Sequence, residues 1–319
     1  MQQSLLKVYA VKHKDFNTRM ASRSGGVFTA LSDEILNCGG IVYGCILNEQ
    51  FEAIHVRAET TEERNKMRGS KYIQSNMGDI FTQVKQDLTS GRKVLFSGTS
   101  CQISGLKAFL QSDYSEQLLC IDIVCHGVPS PLIWKKYLHW QEQKNNGKII
   151  SVNFRNKKDF GWAAHVETLT MQKSDGNIFN INSQIFKELF YGHRILRPCC
   201  YQCPYKDIIH PADITIADYW GIDQACPGFN DNKGVSLVLI NNTIGNTFFQ
   251  KLNNCLEIRE CRIEYSMQPP LKAPFNRPSD RELFWKDVEH QSFDYIVKKY
   301  GKKTFMDRLK RKIKRILKK

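Results

Sequence analysis

A strand-helix-strand unit in the middle of the chain restricts the fold more than any other feature. Two apolar runs, Lys93–Ser97 and Leu118–Val124, flank the helical segment Gln102–Leu110. Such a crossover places its strands parallel and usually adjacent, so both strands end at the same edge of a sheet. Cys101 and Cys125 each follow one of these strands. The pattern therefore predicts that two thiols distant in sequence lie at one sheet edge.

The remaining periodicity predicts an α/β fold, with a mixed β-sheet core flanked by helices and an antiparallel meander in the second half. Further core strands are expected at 7–13, 41–47, 214–219 and 235–240, meander strands at 150–155, 166–172 and 178–181, and a helix at 25–37 with Ser24 as its N-cap. Four regions follow from these patterns: residues 1–97, residues 98–275, a helical extension at 276–301 and a basic tail at 302–319.

Size and composition indicate a globular protein of a reducing compartment. With 41% hydrophobic residues, a chain of 319 residues can bury a full core. No run reaches the roughly 20 apolar residues that span a membrane, and the first residues lack a secretory signal, so we expect a cytoplasmic protein. Its 11 cysteines are unevenly placed. Clustered cysteines in such a protein point to metal or redox chemistry rather than to disulfides.

The strongest cysteine cluster is a C-x-x-C pair, Cys200 and Cys203, with Cys199 adjacent. A tight turn at this spacing can aim two sulfurs at one metal, although two incidental thiols would look the same. Cys101 and Cys125 complete a set of four thiolates, unless they are buried apolar thiols. Spacing alone does not separate zinc from an iron-sulfur cluster, since both accept four thiolates.

Six motifs, in this order, resemble the beta-subunit family of deazaflavin-coenzyme (F420) hydrogenases and dehydrogenases, which also includes the plant hydroxymethyl-chlorophyll reductases. The resemblance covers about residues 8 to 270. It is carried by Ser22-Arg-Ser-Gly-Gly-Val-Phe-Thr-Ala-Leu31, Arg68-Gly-Ser-Lys-Tyr-Ile-Gln-Ser75, Gly98-Thr-Ser-Cys-Gln102, Cys125-His-Gly-Val-Pro-Ser130, Cys200-Tyr-Gln-Cys203 and Asp213-Ile-Thr-Ile-Ala-Asp-Tyr-Trp-Gly221.

The resemblance implies a 4Fe-4S cluster next to a flavin, FAD. Residues 1–97 then become a flavin-binding region and 98–275 an iron-sulfur and flavin region, with Cys101, Cys125, Cys200 and Cys203 as cluster ligands. Many bacterial relatives carry an N-terminal ferredoxin-like module, and nothing of that kind precedes Lys7. We therefore expect an external ferredoxin or an electron-donor subunit as partner.

Two segments are candidates for holding the flavin. The helix start at Ser24, Gly25 and Gly26 can offer free N–H groups to a pyrophosphate, although an ordinary helix start has the same composition. Arg68, Ser70, Lys71 and Tyr72 can supply a cation and hydroxyl donors, although the stretch also reads as a solvated basic loop.

Three further side chains have predicted roles near the cofactors. His126 follows a proposed ligand and can transfer a proton, although a histidine in a tight loop is often only hydrogen-bonded. Asp218 and Trp220 end a strand, where either can border the flavin or substrate pocket. Core packing explains Trp220 equally well.

The positive charge of the chain is concentrated at its C-terminus. The formal net charge is +14, but residues 302–319 hold ten of the basic residues and one acidic residue, and the rest carries only +5. The tail has an amphipathic helical pattern that favours an anionic membrane surface at the inner face of the membrane, with an acidic partner or RNA as alternatives. For the body of the chain, nucleic-acid binding is not expected.

These observations predict an iron-sulfur flavoprotein oxidoreductase that acts on a small organic substrate, either deazaflavin-like or a surface-polysaccharide precursor. Two other classes compete with this function. One is a zinc-stabilised structural protein, and the other is a non-catalytic electron-transfer or assembly subunit.

Overall fold

The computed structural model describes residues 6–302. Within that range the chain forms eleven β-strands. They are β1 (Lys7–His13), β2 (Ile41–Leu47), β3 (Ala53–Ala58), β4 (Val94–Thr99), β5 (Leu118–Ile123), β6 (Lys148–Asn153), β7 (Glu167–Gln172), β8 (Ile178–Ser183), β9 (Ile214–Asp218), β10 (Ser236–Ile240) and β11 (Leu256–Glu260).

Twelve α-helices lie in the same range. They are α1 (Phe16–Ala21), α2 (Val27–Asn37), α3 (Thr61–Asn65), α4 (Ile80–Thr89), α5 (Ser100–Leu110), α6 (Pro131–Asn145), α7 (Lys157–Phe160), α8 (Ile185–Tyr191), α9 (Ile222–Ala225), α10 (Thr243–Gln250), α11 (Arg281–His290) and α12 (Phe293–Tyr300). Short 3-10 helices span Pro198–Gln202, Ile263–Tyr265 and Pro269–Leu271. No helix among residues 6–302 is long and apolar enough to cross a bilayer.

The chain divides into two compact units. The first comprises residues up to 126, 157–164 and 202–274, and the second comprises 127–156, 165–201 and the residues from 275 onward. The predicted boundary between residues 97 and 98 lies inside β4, and both predicted regions contribute strands to one sheet. The division of function between those regions stays a prediction.

The first unit is built on an eight-stranded mixed sheet, ordered β11-β1-β10-β9-β5-β4-β2-β3. Strands β2, β4, β5 and β9 run parallel to one another, whereas β3, β10, β1 and β11 join through antiparallel pairs. Strands β2, β4 and β5 each begin with a run of buried, mainly apolar residues, as expected for parallel strands covered on both faces.

Helices cover the sheet of the first unit through separate apolar clusters. Leu31 and Ile35 of α2 pack with Phe249 of α10 in one cluster. Val84 of α4 and Leu106 of α5 belong to another. The layered arrangement leaves the carboxyl ends of the parallel strands at one edge, which is where ligands bind in open α/β sheets.

The second unit contains a three-stranded antiparallel sheet, ordered β6-β7-β8, and the helices α6, α8, α11 and α12. Its core is aromatic. The ring centroid of Trp134 in α6 lies 4.7 Å from those of both Phe154 and Phe186. The indole Nε1 of Trp140 donates to Asp294 Oδ1 at 2.9 Å, which attaches α6 to α12.

The predicted fold class is confirmed, including the mixed sheet and the antiparallel meander. The predicted N-cap of α2 is wrong. The N-cap position is occupied by Gly26 with φ 94°, and Ser24 Oγ instead donates to the carbonyl oxygen of Val235 at 2.7 Å. A backbone carbonyl next to β10 therefore takes the hydroxyl that was expected to cap the helix.

Candidate functional site

The parallel pair β4 and β5 determines where two of the predicted ligands lie. Thr99, the last residue of β4, is in register with Ile123, the last residue of β5. Cys101 and Cys125 each follow two residues later, so both occupy the carboxyl edge of the sheet as expected. Cys101 lies in the first turn of α5 rather than in a loop, and its exposed sulfur is 3.1 Å from Thr99 Oγ1.

A third predicted ligand, Cys203, belongs to the same unit and is attached to this edge by a buried lysine. Lys206 follows Cys203 by three residues and is only 7% exposed. Its ammonium group donates to the carbonyl oxygen of Cys125. This hydrogen bond joins the C-x-x-C loop to the end of β5 and leaves a positive charge at the backbone of a predicted thiolate.

A buried polar group supports the same edge from within. His210 Nδ1 donates to Asp122 Oδ2 at 2.8 Å, and Ser100 Oγ lies 3.2 Å from that nitrogen. The side chains of His210 and Asp122 are 1% and 0% exposed. Because Asp122 is in β5 and Ser100 begins α5, this group fixes the start of the helix that carries Cys101.

The fourth predicted ligand, Cys200, belongs to the second unit. Its sulfur accepts a hydrogen bond from the backbone N–H of Val128 at 3.4 Å, and its own N–H donates to the carbonyl oxygen of Arg197 at 2.9 Å. The N–H of Arg197 in turn donates to the carbonyl oxygen of Val128 at 3.0 Å. These bonds fix the turn that bears Cys200, whereas the neighbouring Cys199 is exposed.

The chemistry of this cysteine set fits a thiolate-bound centre. All of the predicted ligands are free cysteines. Nevertheless, within residues 6–302 no group of three or more histidine, cysteine, aspartate or glutamate residues is arranged to hold a metal ion. The topology brings the Cys101 and Cys125 segments to one edge, and the ligand set stays a prediction.

The glycines at the start of α2 have a packing reason. A Cβ on Gly25 would lie 2.1 Å from the carbonyl oxygen of Val11, and one on Gly26 would lie 2.8 Å from the Cβ of His13. The N–H of Gly25 is bound by Ser236 Oγ at 2.9 Å. No side chain caps α2, so its first turn presents N–H groups that no side chain accepts.

The two cations predicted to bind the flavin differ in their availability. Lys71 Nζ donates to the carbonyl oxygens of Lys66, Met67 and Arg68 at 2.9–3.1 Å, which uses all three of its donors. Burial of this ammonium group lowers its pKa to about 8, although the side chain as a whole is only half-buried. Its hydrogen bonds fit a structural role at the end of α3.

Arg68 is the better candidate for a ligand contact. It is half-buried, and its buried Nε has no hydrogen-bond partner among the described residues. Burial and the charge of Arg64 lower the pKa of Arg68. Burial, with a smaller contribution from the charge of Arg68, lowers the pKa of His13, whose side chain lies close to Gly26. Ser70 and Tyr72 are both half-buried, and their ligand roles stay predictions.

Asp218 and Trp220 lie at the end of β9, in the first unit. Asp218 accepts a hydrogen bond from the indole Nε1 of Trp162 at 2.7 Å and pairs with Arg23 at 3.4 Å. Trp220 is 47% exposed, so core packing does not account for it. His126 ends the first segment of this unit and is half-buried, and its proton-transfer role stays a prediction.

Sequence reasoning missed several residues that shape these sites. Lys206 could have been suspected from the sequence, because it follows the C-x-x-C pair by three residues. The hydrogen bond between His210 and Asp122 could not be predicted from the sequence, because 88 residues separate them and only the folded sheet brings them together. Trp162 and Lys157 lie in residues 157–164, which belong to the first unit. The residues on either side, 127–156 and 165–201, belong to the second unit, and the sequence does not reveal this alternation.

Comparison with known proteins gives a match to a family model and likenesses to several solved structures. Residues 91–264, just over half of the chain, match a family model that describes the C terminus of the beta subunit of coenzyme F420 hydrogenase/dehydrogenase. No curated protein matches the chain.

One of these solved structures is a chain from the F420-reducing [NiFe] hydrogenase complex of Methanosarcina barkeri. The two share 18% sequence identity with a TM-score of 0.52, covering 92% of this chain and 91% of that one. At this identity the likeness concerns the fold. On the family match, the protein belongs to the coenzyme F420 hydrogenase/dehydrogenase beta-subunit family.

Proposed function

We propose that the protein is an iron-sulfur flavoprotein oxidoreductase that passes electrons between a 4Fe-4S cluster, FAD and a small organic substrate. The observation that carries this proposal is the arrangement of cysteines at the carboxyl edge of the parallel strands in the first unit. There Cys101 and Cys125 follow neighbouring parallel strands, and Lys206 attaches the Cys203 loop to the end of β5. Membership of a hydrogenase and dehydrogenase family supports an electron-transfer role.

The residues of this edge suit an anionic centre. Thiolates are soft ligands that accept iron-sulfur clusters and zinc alike. The buried ammonium of Lys206, which donates to the backbone carbonyl of Cys125, would offset part of the negative charge of a thiolate-bound centre. In this proposal Cys101, Cys125 and Cys203 of the first unit bind the cluster together with Cys200.

The flavin is proposed to lie at the start of α2. Its pyrophosphate would meet the uncapped N–H groups after Gly26 and the guanidinium of Arg68, which has a donor to spare. When bound, FAD would supply the exchange between one-electron and two-electron chemistry. His126, beside Cys125, is the proposed proton donor or acceptor.

We propose a deazaflavin-like compound or a surface-polysaccharide precursor as substrate, and an external ferredoxin or a partner subunit as electron donor. The family name, which contains coenzyme F420, supports the first substrate class. The structural likeness to a chain of a hydrogenase complex supports a partner subunit. The proposed attachment to an anionic membrane surface depends on residues 302–319, of which 303–319 lie outside the described residues.

Cysteine replacement tests the ligand assignment. Cys101→Ser and Cys125→Ser should each lower the iron content of anaerobically purified protein to below half of the wild-type value, because a cluster that loses one thiolate ligand dissociates readily. Cys255→Ser is the matched control, since its half-buried thiol donates to the carbonyl of Leu252 at 3.4 Å, away from this edge. Iron and acid-labile sulfide are measured together with visible absorbance.

Equal iron in all three variants would contradict the ligand assignment. A colourless wild-type protein that contains zinc would instead support the structural alternative. A brown protein with flavin that reduces no organic acceptor from any low-potential donor would favour the non-catalytic role.

A further inference from the structure

A pair of cysteines in the first unit lies outside the proposed ligand set. Cys226 directly follows α9, and Cys261 directly follows β11. Both are free thiols, and both are half-buried. Their side chains pack against the same apolar cluster, which includes Phe229 and Leu271. Folding therefore brings two thiols that are distant in sequence to one region of the first unit.

The chain segments that carry these cysteines are in direct contact. Helix α9 packs against the 3-10 helix Ile263–Tyr265, which begins shortly after Cys261. A Cβ on Gly221, just before α9, would lie 2.0 Å from the carbonyl oxygen of Tyr265, so the two backbones touch. Cys226 follows α9 on one side of this contact, and Cys261 precedes the 3-10 helix on the other. The contact holds the two cysteines in fixed positions near each other.

A buried tyrosine connects the two thiols. Tyr219 follows β9, and its hydroxyl group hydrogen-bonds to the Cys261 thiol and lies 2.8 Å from Ser266 Oγ. Burial raises the pKa of Cys261, the Tyr219 hydroxyl opposes part of this rise, and the charge of an ionised Cys226 adds to it. After burial and Cys261, the charge of Cys226 also contributes to the raised pKa of Tyr219. Cys226 therefore lies close enough to act on both groups.

We propose that Cys226 and Cys261 form a dithiol site that exchanges with a small organic disulfide. The Cys226 thiolate attacks one sulfur of that disulfide, which forms a mixed disulfide and releases one thiolate. The Cys261 thiolate then attacks the sulfur of Cys226, which forms the bond between the two cysteines and releases the second thiolate. The protein loses two protons and two electrons, and the small disulfide is reduced to two thiols.

Such a bond would act on the chain that follows β9. In a reducing compartment a cysteine pair of this kind stays reduced and oxidises only transiently, as in redox-sensing proteins. Oxidation would attach α9 covalently to the segment after β11, and it would restrict the connection from Tyr219 to α9. Neither cysteine is a proposed cluster ligand, so this chemistry does not depend on the proposed function.

The test follows the bond itself in the full-length protein. Anaerobically purified protein is equilibrated with different ratios of reduced to oxidised glutathione, its remaining thiols are alkylated, and it is digested with trypsin. Cleavage after lysine and arginine releases residues 207–233, in which Cys226 is the only cysteine, and residues 260–262, in which Cys261 is the only one. We expect these two peptides to appear linked under oxidising ratios and to separate again when reduced glutathione is restored.

Serine variants identify the two steps. Cys261→Ser should give no linked peptide and should retain glutathione on Cys226 several-fold above the wild-type level, because no neighbouring thiol displaces it. Cys226→Ser should also give no linked peptide. Cys38→Ser, which removes an exposed thiol of the first unit, should form the linked peptide as the wild type does. Hydrogen exchange of residues 219–226 should slow on oxidation in the wild type and in Cys38→Ser, and in neither of the other variants.

Iron content is measured on the same samples and separates this site from the proposed function. Linked peptide in protein that contains no iron would support the dithiol site and contradict the iron-sulfur proposal. Iron-loaded protein in which Cys226 and Cys261 carry glutathione separately, or stay unmodified at every ratio, would overturn the dithiol site and leave the oxidoreductase proposal standing. A bond from either cysteine to a different cysteine would also overturn it.

Discussion

Single side chains make the connections on which the candidate site depends. Lys206 is the clearest case, since one buried ammonium group joins the C-x-x-C loop to the carbonyl oxygen of Cys125. His210 does the same for β5 and the start of α5 through Asp122 and Ser100. Each contact spans more than 80 residues of sequence, so the edge is a tertiary feature rather than a local motif.

Replacing Lys206 should show what this connection contributes. Lys206→Met removes the donor to Cys125 and leaves a carbonyl oxygen without that partner, so the free energy of unfolding should fall by about 1–3 kcal/mol. The cluster content should fall as well, because a compensating positive charge is lost. Urea denaturation and iron analysis measure the two effects. Lys158→Met, at an exposed lysine, is the control, and equal behaviour of both variants would contradict this role.

Secondary-structure elements were predicted best where one physical signal dominated. The buried strands β1 and β2 have the predicted bounds, because continuous apolar runs need a core on both faces. The edge strand β3 was missed. Its sequence, Ala-Ile-His-Val-Arg-Ala, carries polar His55 and Arg57 between apolar positions, and only pairing with β2 makes it a strand. Helix α6 was also missed, although its buried residues Ile133, Trp134, Tyr137, Leu138 and Trp140 follow helical spacing.

The candidate site was predictable to the extent that it follows from topology. The positions of Cys101 and Cys125 follow from a parallel crossover that the sequence reveals. The distinction between Lys71 and Arg68 does not, because it depends on carbonyl oxygens that converge on Lys71 only after folding. Ser24 failed as an N-cap for the same reason, since the acceptor for its hydroxyl, the carbonyl oxygen of Val235, is distant in sequence.

The packing of α6 on β7 gives the second unit a pH-dependent element. Burial raises the pKa of Glu167 from 4.5 to about 7, and hydrogen bonds from Tyr137, Ser183 and Phe186 only partly oppose this. The native state therefore prefers the neutral carboxyl group. Stability from Glu167 is greatest below pH 4.5 and is lost as the pH rises through about 7.

Glu167→Gln should remove this dependence. Between about pH 5 and pH 8 the wild-type protein should lose about 2.5 kcal/mol of unfolding free energy that the variant retains, since the amide does not ionise. Urea denaturation at several pH values measures the difference. Glu289→Gln, at an exposed position of the same unit, should follow the wild type. A wild-type profile that is flat over this range would contradict the assignment.

At the scale of the whole molecule, the first unit holds most of the chemistry. It contains three of the four predicted cluster ligands, the start of α2, Arg68 and the stacked indoles of Trp162 and Trp220. The second unit contributes Cys200 and an aromatic core around Trp134. The boundary after residue 201 falls inside the C-x-x-C pair, with Cys200 in the second unit and Cys203 in the first.

The central claim is that cysteines from distant stretches of this chain bind one iron-sulfur centre. Crystals grown without oxygen, with diffraction data collected at the iron absorption edge, test it most directly. We predict an anomalous peak from iron within bonding distance of the sulfurs of Cys101, Cys125, Cys200 and Cys203. Diffraction that shows no iron at these sulfurs, or a single zinc ion in its place, would contradict the account.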